Sequence, residues 1–210
     1  MPTPQFMEAF EATRIQVNNP VFAVDTGGDD LATWANGMIS RGRAHVVIDE
    51  LAQRQDLDEN HYALHILGNA YKYRGNAEDL PRAESLLRRA LVLRRERLAA
   101  TPSEQAATAV ASTLSVLGEV AFIQGEHERA DALFVEAINV KPTFWLAHEC
   151  RLCMRSVAED GPGCGSVLAD LDRTYPAWRS DEELVQTILE DGMLDWFRSQ
   201  PHLLSALAQH

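Results

Sequence analysis

His148, Cys150, Cys153 and Cys164 are the residues most suited to chemistry by type and closeness. Soft thiol and imidazole ligands at short spacing suit zinc. Geometry opposes that use. Residues 148–153 read as helix, and at about 100° per residue His148 and Cys153 point roughly 140° apart. Cys150 and Cys153 can converge, but a four-ligand site would need the helix to break. The expectation is three free thiols, buried or half-buried, and no metal. The seven histidines form no HExxH pair, and no serine or cysteine sits in a nucleophile elbow. No catalytic residue and no cofactor is expected.

Three further motifs carry little. Asp25-Thr26-Gly27 resembles the aspartic protease signature, but it precedes a helix in a helix-rich chain instead of lying in a β-loop, and reads as a cap and turn. Gly161-Pro162-Gly163-Cys164-Gly165 follows a helix, lacks a phosphate-loop lysine, and reads as an interhelix breaker. Arg88, Arg89, Arg94, Arg95 and Arg97 spread around one helix, with Glu84 four residues before Arg88, and read as a solvated face.

The whole composition narrows the class. A net charge of -12 is the wrong sign for a phosphate backbone, so no nucleic acid is expected. With 46% hydrophobic and 24% charged residues the chain can bury a core. No apolar run is read as spanning a bilayer, and the N-terminus lacks a basic region followed by an apolar stretch, so a cytoplasmic protein is expected, with no membrane partner. Only Lys72 and Lys141 are lysines among 19 basic residues, a bias of GC-rich, bacterial coding.

Elements follow from punctuation and period. A first helix runs from Thr3-Pro4 to Asn18-Asn19-Pro20, then an irregular stretch through Gly27-Gly28. Asp29 or Asp30 caps a helix to Ile39, Gly42 breaks it, and Arg43–Arg54 follows with Ala44, Ile48 and Leu51 on one stripe. Helices are expected over Glu59–Arg74, Pro81–Ala99, Pro102–Gln124, Glu126–Asn139 and Thr143–Val157. Thr101 should cap the third of these, with Pro102 at its first position. Shorter helices follow near 166–174, 181–191 and 193–208, the last restarted at Pro201.

One pattern occurs twice. Leu67-Gly68, Gly75, Ala83, Leu87 and Ala90 are answered by Leu117-Gly118, Gly125, Ala130, Phe134 and Ala137, and the second copy closes with Pro142. A small residue at 68 and at 83 lets two helices cross closely; Leu87 and Ala90 then pack back on the first helix. A helix pair cannot bury its own apolar face alone, so a repeat implies stacking on a neighbour.

These residues resemble the tetratricopeptide repeat family, an antiparallel helix pair of about 34 residues. The Leu-Gly pairs lie 50 residues apart, and Gly75–Ala83 is three residues longer than Gly125–Ala130. That spacing, with AESLLRRALVLRRERL, looks like the long-helix variant of kinesin light chains. The resemblance implies an all-α fold, a short right-handed solenoid of antiparallel pairs in one domain over 1–210. Residues 1–58 hold N-terminal helices and a degenerate copy (Trp34, Gly42, Ala44, Ile48, Leu51), 59–142 two repeats, and 143–210 a helical cap ending in LDWFRSQPHLLSAL. It implies a non-catalytic adaptor that holds a protein or peptide in a concave groove. The groove positions by register are Tyr62, His65, Asn69, Lys72 and Tyr73, then Ser112, Ser115, Glu119, Phe122 and Ile123, then Leu146, Glu149 and Cys153. The carboxylate clamp of some family members is not expected: Asn69 fits, but His65, Val116, Leu146 and Cys150 fill its other positions. A secretion-type chaperone and a metal- or small-ligand-binding regulator using 148–164 are the alternatives. Self-association through Trp196 or Phe197 is a further expectation.

Overall fold

The computed structural model describes residues 29–76 and 78–207. The expected first helix, the irregular stretch after it and the Asp25-Thr26-Gly27 motif lie outside the described residues. Among the described residues the fold is all-helical, with eleven α-helices and two 3-10 turns. They are α1 Asp29–Ile39, α2 Ala44–Leu51, α3 His61–Arg74, α4 Asp79–Ala100, α5 Glu104–Ile123, α6 His127–Val140, α7 Trp145–Val157, α8 Gly161–Thr174, α9 Glu182–Glu190, α10 Asp195–Arg198 and α11 Pro201–Leu207. The 3-10 turns are Trp178–Ser180 and Gly192–Leu194.

The doubled pattern performs the same work in both copies. Gly75 and Gly125 follow α3 and the end of α5 with φ of 71° and 82°, a left-handed conformation that ends a helix cheaply only at glycine. Gly68 lies against α4: a Cβ there would stand 2.7 Å from Leu87 Cγ and 3.2 Å from the Ala83 carbonyl oxygen. Gly118 lies against α6, where a Cβ would stand 2.6 Å from Phe134 Cε1. Ala83, Leu87, Ala90, Ala130, Phe134 and Ala137 are all buried. α4 and α5 have 22 and 20 residues against 14 each for α3 and α6, which accounts for the long interval between copies.

The apolar core forms two clusters. The first joins α1, α2 and α3 through Ala35, Val47, Leu51 and Leu67. The second runs from α4 to α11 through Leu87, Leu114, Phe134, Leu152, Leu171, Trp178, Leu184 and Phe197, and Tyr71 packs against both.

Three expectations are corrected. The glycine-rich stretch at 161–165 is not a breaker but the first turn of α8. Asp160 caps it, accepting from Gly163 N at 2.9 Å, and Pro162 sits where its missing N–H costs nothing. The chain turns instead at Glu159, whose φ is 54°. α5 starts two residues later than expected. Ser103 caps it, accepting from Ala106 N at 3.1 Å, and Thr101 instead closes α4. Third, α5 is long and apolar enough to cross a membrane, contrary to the reading that no segment is; 83% of its most apolar window is buried inside the fold. Its apolarity reflects its position, since every residue from Val110 to Phe122 is buried.

Candidate functional site: a polar file between α3 and α5

An α-helix brings residues three and four apart onto one face. On α3 this aligns His61, His65, Asn69 and Lys72; on α5 it aligns Ser112, Ser115, Glu119 and Phe122. The two rows form a file of mostly polar side chains between α3 and α5. His65, Asn69, Lys72, Ser112, Ser115, Glu119 and Phe122 are buried, and Tyr62, Tyr73 and Ile123 are half-buried. Of the third row, Leu146, Glu149 and Cys153 on α7 are buried as well. The structure thus puts the groove positions inside the protein, with only the two tyrosines and Ile123 partly open.

Their partners are largely each other. Lys72 Nζ donates to the Glu119 carboxylate, joining α3 to α5 across 47 residues of chain, with both side chains almost wholly buried. Lys72 Nζ also lies 4.2 Å from the centre of the Tyr73 ring. Cys150 Sγ on α7 approaches the other Glu119 oxygen at 3.9 Å. Toward the start of α3, Thr113 Oγ1 lies 3.4 Å from His65 Nδ1 and accepts from Arg94 Nη1 at 2.7 Å. Arg94 also donates to the Ala109 carbonyl at 2.8 Å and to His61 Nδ1 at 3.3 Å. Arg97 Nη1 is 3.1 Å from His61 Nε2.

Arg94 corrects the reading of the arginine run. Arg88, Arg89, Arg95 and Arg97 are exposed, and Glu84 pairs with Arg88 at 2.7 Å as expected. Arg94 is only 5% exposed. The signal was available: Leu87, Leu91 and Arg94 recur at i, i+4, i+7, so Arg94 shares the buried stripe of α4.

Cations shape the titration of this end. Burial, with Arg94 and Arg97 adding to it, pulls His61 down to about 4. Burial, then Arg94 and Lys72, holds His65 well below the usual histidine range. Both imidazoles are therefore neutral at pH 7. Arg94 and Arg97 lie toward one end of the file, and the Lys72–Glu119 ion pair toward the other.

Three polar atoms along the file reach no hydrogen-bond partner: Tyr62 Oη, Asn69 Oδ1 and Ser115 Oγ. Each such buried orphan costs about 1–3 kcal/mol.

The sulfur and imidazole groups near 148–164 separate. His148 Nε2 lies 3.2 Å from the Pro142 carbonyl oxygen and 3.4 Å from Thr174 Oγ1, and burial holds its pKa at about 4. Cys164 is buried on α8, and burial pushes its thiol up to about 11. Cys150 faces Glu119, whereas Cys153 Sγ lies 3.6 Å from Asp191 Oδ2. None of the three cysteines is in a disulfide. Phe197 is fully buried, its N–H donating to Ser156 Oγ at 3.2 Å, so it offers no surface for self-association; Trp196 is half-buried.

Comparisons with protein-family models, curated proteins and solved structures find no match.

Proposed function

We propose that the chain is a short solenoid of tetratricopeptide-like helix pairs acting as a non-catalytic adaptor. It takes an extended polypeptide segment along the file between α3 and α5, which is closed in the free chain and admits the segment when the two helices part. The observation that carries this reading is the set of orphaned atoms: Tyr62 Oη, Asn69 Oδ1 and Ser115 Oγ. An amide oxygen and two hydroxyls, spaced along two helices, match the alternating N–H and C=O groups of a peptide backbone. The equivalent roles of Gly68 and Gly118, and of Gly75 and Gly125, support a repeat architecture, with α9–α11 as its cap.

The test is selection of peptides from a displayed random library against the purified chain, followed by fluorescence anisotropy on the best binder. Asn69→Ala combined with Ser115→Ala should weaken that peptide by more than about fivefold, or about 1 kcal/mol. An unchanged affinity sinks the assignment of the file as the binding surface.

A further inference from the structure

A second cluster lies beyond the peptide file, where α7 meets the C-terminal helices. Glu149 and Cys153 stand at i and i+4 on one face of α7, and Asp191 reaches them from the turn after α9. All three are 3% exposed. Cys153 Sγ lies 3.6 Å from Asp191 Oδ2 and 3.8 Å from Glu149 Oε1. One ligand atom from each residue lies within 4.8 Å of the others.

We propose that Glu149, Cys153 and Asp191 bind one zinc-class divalent cation and so clasp the C-terminal helices to α7. The distances carry the argument. Tetrahedral zinc with Zn–S of about 2.3 Å and Zn–O of about 2.0–2.2 Å has an S···O edge of about 3.5 Å. The two S···O separations, 3.6 and 3.8 Å, need close by only a few tenths of an ångström, and the two carboxylate oxygens, within 4.8 Å of each other, come to about 3.4 Å around the ion. A thiol carries one proton and serves one carboxylate at a time, whereas a cation bonds thiolate and both carboxylates together. A thiolate beside two carboxylates selects a borderline ion such as zinc or cobalt over calcium or magnesium.

The outer contacts fit the role. Asp191 Oδ1 accepts from Met193 N at 2.8 Å, which turns Oδ2 toward the sulfur. Arg198 Nη1 donates to the backbone oxygens of Ile188 and Asp191 at 2.9 and 2.7 Å, fixing the turn that presents the aspartate. Three protein ligands leave a fourth tetrahedral position for water. This site differs from the cysteine and histidine set read in the sequence. It keeps Cys153, drops His148, Cys150 and Cys164, and recruits two carboxylates.

The experiment is titration of the full, reduced, chelator-treated and desalted chain with Co2+. The expected result is saturation at one equivalent, a near-ultraviolet thiolate-to-cobalt band, strong visible tetrahedral bands, and bleaching by Zn2+. Cys153→Ser should abolish the thiolate band, while Cys150→Ser and Cys164→Ser should retain it. Glu149→Gln and Asp191→Asn should each weaken cobalt binding at least tenfold. If Cys153→Ser loses its helical circular dichroism, the two carboxylate variants decide. The proposal is overturned if the wild type shows no saturable band, if the band survives in a folded Cys153→Ser chain, if it is lost in Cys150→Ser or Cys164→Ser, or if neither carboxylate variant changes the affinity.

Discussion

Replacing Gly118 by alanine tests the closest helix crossing in the fold. In an open helix the change is favourable, because alanine is about 1 kcal/mol better than glycine. Here the new methyl would stand 2.6, 2.8 and 2.9 Å from three carbons of the Phe134 ring, where carbon atoms prefer about 3.5–4.0 Å. The ring is 2% exposed, so any shift of it must displace packed neighbours. Overpacking of this kind costs about 1–3 kcal/mol. After subtracting the propensity gain of about 1 kcal/mol, the net loss should be about 0–2 kcal/mol, and each kcal/mol should lower Tm by roughly 2–4 °C in a chain of this size. Gly37→Ala is the internal control. Its methyl would meet only Arg41 Nη1 at 3.5 Å, an ordinary contact, so it should gain about 0.5–1 kcal/mol. Urea unfolding of the parent and the two variants gives the free energies, and thermal unfolding the Tm shifts. A Gly118→Ala protein that gains as much stability as Gly37→Ala refutes the close crossing and with it the physical meaning of the doubled pattern.

Other outcomes follow from the buried charges and caps. Lys72→Met should cost about 3–5 kcal/mol by removing the cation from a buried carboxylate, and Lys72→Met with Glu119→Leu should recover most of it; equal losses in single and double variants would dissolve the pair. His61, with a folded pKa of about 4, stays neutral in the folded state while the unfolded chain takes up a proton below about 6.5. Stability should therefore fall as pH drops from about 6.5 toward 4, by about 1–2 kcal/mol from His61 after allowing for its partial exposure, with His65 acting in the same direction. A urea midpoint that stays level from pH 7 to 4.5 contradicts this, and His61→Asn should flatten part of the slope. Asp160→Ala should destabilise the chain by about 0.5–2 kcal/mol through loss of the α8 cap, measured by thermal unfolding; no change would mean that the glycine-rich turn holds without it.

Helix positions were legible where punctuation and period agreed. Gly75, Gly125 and the stripe Ala44, Ile48, Leu51 each fixed a local choice that the tertiary structure kept. The stretch at 161–165 was misread because composition outweighed position: proline and glycine end helices in the middle but suit the first turn once an aspartate precedes them. Arg94 was misread because charge outweighed period. The positions of Lys72 and Glu119 were legible, but their pairing was not, since they lie 47 positions apart in the chain. The cluster at Glu149, Cys153 and Asp191 was invisible for the same reason: Asp191 reaches α7 only through the fold of the cap. A single sequence carries the face of a helix; it does not carry which distant face meets it.

The scarcity of lysine gives this molecule a built-in reporter. Of its two lysines, Lys141 is only partly shielded, pairing with Glu104 at 3.1 Å, while the Lys72 amine is sealed with Glu119. An amine-acylating reagent should therefore mark Lys141 quickly and Lys72 only when α3 and α5 part. The rate of Lys72 labelling, read by mass spectrometry of the intact fold, then measures the free energy of that local separation. Of the two lysine amines, one is thus placed at the seam between two helices.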